Sequence, residues 1–256
     1  MKKYIFAILF VVLSSVAANA QFTHYGVRLG FGPATISDDM LTQSPILGVN
    51  LGGYLDYGFT EAHSFFADNL FLRLGLNFTR RGSDFVQEWI PMSSIRTGFY
   101  HAWYAQIPIQ AAWRYELPLP TAGHIVNFFF GPAVSVGMFG RLWDRWVTPG
   151  LPQSTLNYDT YVTTPKDARR VFNTLRRIDV SSTIGIGYQF RNYTVDLIWD
   201  HGFIPLKKES DILNELDRQT AQENGTTVPR ERNGYTGTHN AIILSIGYQM
   251  PMPKKM

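Results

Sequence analysis

Apolar and polar residues alternate in eight separate runs of the chain, and this period of two constrains the fold more than any other feature. Successive side chains of a β-strand point to opposite faces, so each run predicts a strand with one apolar and one polar face. In the third run, Leu72 and Leu74 alternate with Arg73 and Gly75. The eight runs lie at residues 25–31, 47–57, 70–79, 99–117, 126–138, 178–190, 193–200 and 242–250.

The connections between these runs alternate in length. They span about 12, 10, 20, 7, 36, 2 and 36 residues in chain order, so that the odd-numbered connections are long and the even-numbered ones short. Short links join antiparallel neighbours, and long loops at one end with short turns at the other are typical of an up-and-down barrel in an outer membrane. The N- and C-termini are then expected on the periplasmic side.

The composition of the polar face decides which face is inside. A soluble barrel would bury its apolar face and expose the other to water, where lysine is common. Every lysine of this chain lies in the leader, a connection or the tail, and the polar face consists of small and amide residues with a few Arg, Asp and Glu. The chain is therefore predicted to be all-β, an eight-stranded antiparallel up-and-down transmembrane β-barrel of the outer-membrane type.

Aromatic residues gather at one predicted level of the strands. Aromatic rings collect at the lipid headgroups, so a ring of them indicates a membrane interface, whereas the core of a soluble barrel is the alternative. The residues near the predicted periplasmic strand ends are Tyr25, Tyr57, Trp113, Tyr115, Phe128, Tyr188, Phe190, Tyr193 and Tyr248.

The N-terminus reads as a secretory signal peptide over residues 1–20. Two lysines precede an apolar stretch and a small-residue cleavage site ending near Ala20. Cleavage leaves 21 of the 23 basic side chains against 20 acidic ones, a net charge of +1, which gives no reason to expect nucleic acid as a partner. The chain has no cysteine. Residues 21–256 are expected to form one barrel domain with long outer loops near 141–176 and 204–239.

Several charged residues fall on the predicted inner face. An eight-stranded barrel has an interior that side chains can fill, and an unpaired ion there is costly, so opposite charges are expected to pair. For Arg28 the expected partners are Asp56, Asp196 or Asp200. The network is either a structural plug or a path for a small solute or protons; its predicted members are Arg28, Asp56, Arg73, Arg114, Glu116, Asp179, Asp196 and Asp200.

Two prolines interrupt neighbouring strands. Pro108 lies within the fourth run and Pro132 within the fifth, and proline cannot donate a ladder hydrogen bond. We expect either a tolerated bulge or a weak seam between these strands that a partner or lipid recognises.

The sequence gives little support for an enzyme. His101 and His201 lie at predicted strand ends, but there is no G-x-S-x-G motif, and no pair of histidines at metal-ligand spacing. No catalytic residue, cofactor or metal is predicted. A lipid-modifying barrel enzyme is kept as a minor alternative.

Several stretches together resemble the PorT-type outer-membrane β-barrel family: "YGVRLGFG", "LRLGLNFTRRGSDF", "YAQIPIQAAWRYE", "FFFGPAVS" and "IGIGYQFRNYTVDLIWDHGF". The resemblance covers most of residues 25–250. It implies a non-enzymatic barrel that supports protein secretion or surface attachment by the type IX route, contacting outer-membrane lipid and possible secretion-machinery proteins through its outer loops. A narrow porin or small-solute-binding barrel is the alternative function.

Overall fold

A computed structural model describes residues 20–36, 42–59, 69–89, 94–119, 123–147, 172, 175–208 and 235–251. The predicted leader and most of both long loops lie outside these ranges. The described residues form eleven strands: β1 Ala20–Ile36, β2 Thr42–Ser44, β3 Ile46–Phe59, β4 Leu70–Trp89, β5 Ser94–Glu116, β6 His124–Val147, β7 Ile178–Phe190, β8 Tyr193–Gly202, β9 Lys207–Lys208, β10 Tyr235–Thr236 and β11 His239–Pro251.

Eight of the strands close into an antiparallel barrel, which confirms the predicted fold class. Each pairs with its chain neighbour in the order β1, β3, β4, β5, β6, β7, β8 and β11. The first and last strands then pair with each other, Arg28 lying opposite Gly247. The short strand β2 adds to β4, and β9 pairs with β10 in a separate two-stranded sheet.

The barrel has two different ends. At the turn end, β1 begins, β11 ends, and short links join the strands; the tightest is Arg191 and Asn192 between β7 and β8. Arg191 has a φ of 55° there, the left-handed conformation that such a tight turn requires. The opposite end, from which the long connections leave, is called the loop end.

The two faces of the strands differ as the alternation predicted. Along β7 and β8, exposed and buried residues alternate almost without interruption. The exposed positions carry large apolar side chains, such as Ile246, which is 65% exposed, whereas arginine and aspartate are buried within. Apolar residues outside and polar residues inside are the arrangement that lipid around the barrel requires.

Strands β4, β5 and β6 are longer than predicted. β5 and β6 contain 23 and 24 residues, and only residues 90–93 separate β4 from β5, where a connection of about 20 residues was expected. β6 continues to Val147, past residue 141, near which the outer loop was predicted to start. The reason is that β5 and β6 continue to pair up to Ile95 opposite Val147, beyond the lipid-facing part of the barrel.

Aromatic side chains lie at both ends of the barrel wall. At the turn end, Trp113 packs on Tyr115 and Phe128, and Tyr193 packs on Tyr248. A second group, which the sequence analysis did not predict, lies toward the loop end. There Trp103 stacks on Phe139, Phe99 on Trp143, and Trp199 lies beside His201. Two aromatic girdles bounding an apolar band are a property of transmembrane barrels.

Among the described residues, no helix has the length and apolar character needed to cross a membrane.

Candidate functional site

The lumen at the turn end holds a cluster of one carboxylate and two guanidinium groups. Asp56 lies opposite Arg73 in the pairing of β3 with β4, and Arg73 donates two hydrogen bonds to its carboxylate, of 2.8 and 3.1 Å. Arg114, from β5, donates a third to the same carboxylate. All three residues are buried. We call Asp56, Arg73 and Arg114 the turn-end cluster.

Aromatic rings cover both arginines of the turn-end cluster. The guanidinium carbon of Arg73 lies 4.1 Å from the ring centre of Tyr54, and that of Arg114 lies 4.4 Å from that of Phe71. Cation–π contacts of this kind stabilise a guanidinium removed from water. Arg114 also hydrogen-bonds Asn127 at 3.1 Å. Both cations are therefore held by several partners at once.

Arg28 is not paired as the sequence suggested. It is buried with only 3% of its surface exposed, but among the described residues no acidic oxygen lies within 4.0 Å of its guanidinium. Asp56, one of its three expected partners, instead accepts hydrogen bonds from Arg73 and Arg114. Among the side chains that the structure describes, Arg28 forms one hydrogen bond, from Nη2 to Oδ1 of Asn77 at 3.4 Å. Asp196 is buried nearby and interacts with Arg28 electrostatically.

A second ionic cluster lies toward the loop end. Arg81 is 1% exposed, and its guanidinium lies 2.5 Å from Asp179 and 3.1 Å from Asp200. His239 lies between the same two carboxylates, its ring nitrogens 2.9 and 3.1 Å from them. Arg81 also donates a hydrogen bond of 3.0 Å to Ser135. We call Arg81, Asp179, Asp200 and His239 the loop-end cluster.

A chain of hydrogen bonds joins Arg28 to the loop-end cluster. Arg28 donates to Asn77, Asn77 donates to Gln106 at 3.4 Å, and Gln106 donates to Asp200 at 3.0 Å. Buried apolar side chains also lie in the barrel, in a cluster that includes Phe129, Ile198 and Ile243. The lumen is thus occupied along its length by side chains.

An apolar cap lies over the loop-end cluster. Leu175, which precedes β7, and Leu206, which follows β8, are fully buried against residues of β1, β4 and β5. The main chain joins these two segments, since the amide of Arg176 donates to the carbonyl of Leu206 at 2.6 Å. The cap consists of Ile36, Phe85, Tyr100, Ala102, Tyr104, Leu175 and Leu206. It covers the lumen from the side on which the long connections leave.

The structure places seven of the eight predicted network residues in the lumen and one outside it. Glu116 is exposed, because it is the last residue of β5 and lies beyond the final inward layer at the turn end. Two further members were missed. Arg81 and His239 lie at strand positions for which the sequence analysis predicts connections, although extending the alternation past Thr79 places Arg81 on the inner face.

The ladder pairing of β5 is interrupted at or next to Pro108, both toward β4 and toward β6. The β4–β5 ladder skips the two residue pairs between Leu74–Ile109 and Asn77–Gln106. The β5–β6 ladder skips those between Pro108–Ala133 and Ala111–Phe130, the place where Pro132 lies. The register is the same before and after each gap, so neither proline causes a bulge. The bulge in this pair of strands lies elsewhere, between Trp103 and Tyr104.

The chain accommodates the gap with specific residues. A Cβ on Gly75 would lie 2.8 Å from Cγ of Pro108, so glycine is needed opposite the proline ring. Thr183 hydrogen-bonds the carbonyl of Gly131 at 3.3 Å, which satisfies an acceptor beside the missing pairs. Specific residues on the neighbouring strands therefore accommodate the gaps in the ladder.

We expect the amides of Ile107, Ile109 and Gln110 to exchange with solvent at least about tenfold faster than those of β7 in detergent micelles, because two ladder pairs are missing on each side of the segment. Hydrogen exchange followed by NMR measures this. Ile184 and Ile186, in the continuous β7–β8 ladder, are the controls. Equal protection of the two segments would rule out a weak seam.

The two candidate catalytic histidines have no nucleophile beside them. His101 lies on the outer wall, its ring nitrogens 3.0 Å from Arg80 and 2.9 Å from Asp84. His201 packs against the rings of Trp199 and Phe203. In the described part of the chain, neither histidine hydrogen-bonds a serine. Nor do the described residues contain a group of three or more His, Asp or Glu side chains suited to a metal ion.

A closed barrel of eight antiparallel strands, apolar outside and ionic within, defines the class of this protein as a transmembrane barrel of the outer-membrane type. The chain belongs to the outer membrane protein β-barrel domain family, whose model matches residues 18–208. Its cellular location is therefore the outer membrane.

Among solved structures, the chain is similar to the N-terminal β-barrel domain of OprF from Pseudomonas aeruginosa. The sequence identity is 10%, the match covers 90% of this chain and 99% of that chain, and the TM-score is 0.29. At that score the likeness carries no argument about function. No curated protein matches the sequence.

Proposed function

We propose that this barrel is a non-enzymatic component of the outer membrane that supports protein secretion or surface attachment, acting as a structural or docking element. The observation that carries the proposal is the filled lumen. Two ionic clusters, a hydrogen-bonded chain and an apolar cap occupy the interior, so the surfaces left to act on other molecules are the outer wall and the loop end.

The type IX route is the process we propose, and it rests on the sequence resemblance to PorT-type barrels. A leader cleaved near Ala20 would deliver the chain to the assembly machinery of the outer membrane. The proposed partners are secretion-machinery proteins. They would bind at the loop end, where β4, β5 and β6 extend furthest and the two long connections begin.

Deletion of the gene is expected to reduce the surface-attached fraction of a type IX cargo protein by at least about tenfold, with the cargo accumulating in the periplasm, if the barrel is needed for a step at the outer membrane. Cell fractionation and surface labelling measure this. Wild-type protein supplied from a plasmid should restore display. The abundance of an unrelated barrel in the same membranes shows whether the membrane itself is intact. Normal surface display of the cargo protein in the deletion strain would contradict the proposal.

The side chains in the lumen also indicate what conductance to expect, and this tests the porin alternative. In planar bilayers the purified protein should give no steady conductance above that of the lipid, because Arg81 and Phe129 lie in the lumen and the cap covers one end. Stepwise conductance would favour a narrow porin. A bulky side chain introduced at Gly30 to block such a pore would disturb the packing itself, since a Cβ there would already lie 2.5 Å from Cγ2 of Ile243.

A further inference from the structure

His239 closes a ring of four side chains in the loop-end cluster. Its Nδ1 atom lies 2.9 Å from Oδ2 of Asp179, and its Nε2 atom lies 3.1 Å from Oδ2 of Asp200. Arg81 contacts the same two oxygen atoms through its own nitrogen atoms. Each of these carboxylate oxygens is therefore shared by a guanidinium nitrogen and an imidazole nitrogen.

The contacts of the imidazole indicate its charge. The described lumen contains four buried arginines and four buried aspartates, so the number of charges alone does not decide whether His239 is protonated. Both ring nitrogens lie at ion-pair distance from a carboxylate, although neither contact is aligned as a hydrogen bond. A neutral ring gains little from unaligned contacts, whereas an imidazolium is attracted by both carboxylates whatever the angle. The arrangement is that of an imidazolium between two carboxylates.

The groups that face this imidazole come from five strands. The charged ones among the described residues are Arg81 from β4, Asp179 from β7 and Asp200 from β8. From β1, the apolar residue Ile36 lies opposite the histidine. From β5, the phenol ring of Tyr104 lies with its centre 5.0 Å from the guanidinium carbon of the arginine.

The loop-end cluster and the apolar cap are joined at two points. Tyr104, whose ring covers Arg81, donates a hydrogen bond of 2.9 Å from its hydroxyl group to the carbonyl of Arg176 in the cap segment. The amide of Leu206 donates a hydrogen bond of 2.7 Å to the carbonyl of Gly237, two residues before the histidine. A displacement of the histidine therefore acts on the main chain that holds the cap in place.

We propose that the loop-end cluster is a proton-binding site, and that the proton on His239 fastens the apolar cap over the lumen. While the ring is charged, Asp179 and Asp200 each contact two cations and the cap stays closed. Loss of the proton leaves both carboxylates in contact with the one guanidinium, and movement of the histidine and the cap away from them relieves their repulsion. Because the closed arrangement binds the proton and the open one releases it, a rise in pH favours opening. The inference does not depend on a role in secretion.

The first test measures the protonation of the ring directly. The full chain, labelled with ¹⁵N in its six histidines, is refolded into detergent micelles, and NMR follows the shifts of the ring nitrogens as the pH is raised. The signals of His239 are those missing from the variant His239→Gln. If that variant does not fold, replacing each of the other histidines in turn identifies the signals by elimination. We expect both ring nitrogens of His239 to carry protons while the cap is closed.

The second test measures whether the cap opens as the proton leaves. The exchange rates of the amides of Arg176 and Leu206, each divided by the intrinsic rate at the same pH, report the opening of the cap. Opening is expected to increase by at least about tenfold across the pH range in which His239 loses its proton, because the closed cap binds that proton more tightly than the open one. The amides of Ile184 and Ile186, in the β7–β8 ladder, are the controls and should change by less than about twofold.

Variants separate the loop-end cluster from the other histidines. His239→Gln should remove the dependence of cap opening on pH, whereas His101→Gln, which changes a histidine beside Asp84 on the outer wall, should keep it. The proposal is overturned if the closed form contains a neutral His239, if the ring keeps both protons until the barrel unfolds, or if cap opening does not change as the proton is lost. It is also overturned if His101→Gln abolishes the effect. If His239→Gln does not fold, the two measurements on the wild-type protein decide the question.

Discussion

Replacing Asp56 with asparagine is expected to lower the free energy of unfolding of the barrel by about 3–5 kcal/mol. Asp56 is fully buried and is the acceptor for both Arg73 and Arg114. Asparagine keeps the shape of the side chain but removes its charge. Two guanidinium groups then remain in the lumen without a counter-charge, which is far more costly than the loss of one ordinary hydrogen bond.

Urea-induced unfolding in micelles, followed by tryptophan fluorescence, measures this effect. The matched control is Glu116→Gln, an equivalent change of an exposed carboxylate at the end of β5, which should alter the free energy by less than about 0.5 kcal/mol. If Asp56→Asn unfolds at the same urea concentration as the wild-type protein, the turn-end cluster contributes nothing to stability.

Replacing Arg81 with methionine is expected to have an effect of similar size, about 3–5 kcal/mol. Asp179 and Asp200 both pair with this guanidinium, so its loss leaves two carboxylates close together in the lumen with His239 as their remaining partner. Methionine fills much of the volume of arginine, which limits any added cost from a cavity.

The chain offers a control one residue away. Arg80 points to the outer wall and bonds His101, so Arg80→Met should cost less than about 1 kcal/mol in the same assay. The comparison removes the effects of composition and of position along the strand, leaving only the face on which the side chain lies. Equal losses in the two variants would contradict the assignment of Arg81 to the lumen.

The two adjacent arginines also show what sequence can and cannot predict about this barrel. Alternation predicts the face of a residue wherever the strand continues, and β7, the two-residue turn and β8 were predicted closely for that reason. It does not predict where a strand ends. The parts of β4 and β6 near the loop end contain fewer large aliphatic residues than the centres of these strands. The alternation therefore predicts a connection, not a strand, at Arg81.

The sequence also does not predict which charged side chains of the lumen pair with each other. Parity places Arg28, Asp56 and Asp196 on the same face, but which of them meet depends on the stagger between strands and on competition for each carboxylate. Asp56 lies opposite Arg73 in the β3–β4 register, and Arg114 reaches it from β5. Neither the stagger nor the reach of an arginine can be read from one strand at a time.

The prolines illustrate a different limit. A ladder gap at Pro108 and Pro132 follows directly from the missing amide hydrogens, and the structure has gaps at both places. The bulge considered for this position does not occur there, because Gly75 and Gly131 allow close approach and the register is kept. The sequence indicated the missing hydrogen bonds, because proline has no amide hydrogen. It did not indicate whether the strand would bulge, because that depended on residues of the neighbouring strands.

The hydrogen-bonded chain from Arg28 to Asp200 has a consequence for how the barrel is assembled. Its members come from the first strand, from β4 and β5, and from β8, and the loop-end cluster adds His239 from the last strand. An intermediate that lacks its final strand would therefore leave Asp179 and Asp200 with Arg81 but without His239. Pairing of β11 with β1 therefore closes the barrel wall and completes the loop-end cluster in the same step.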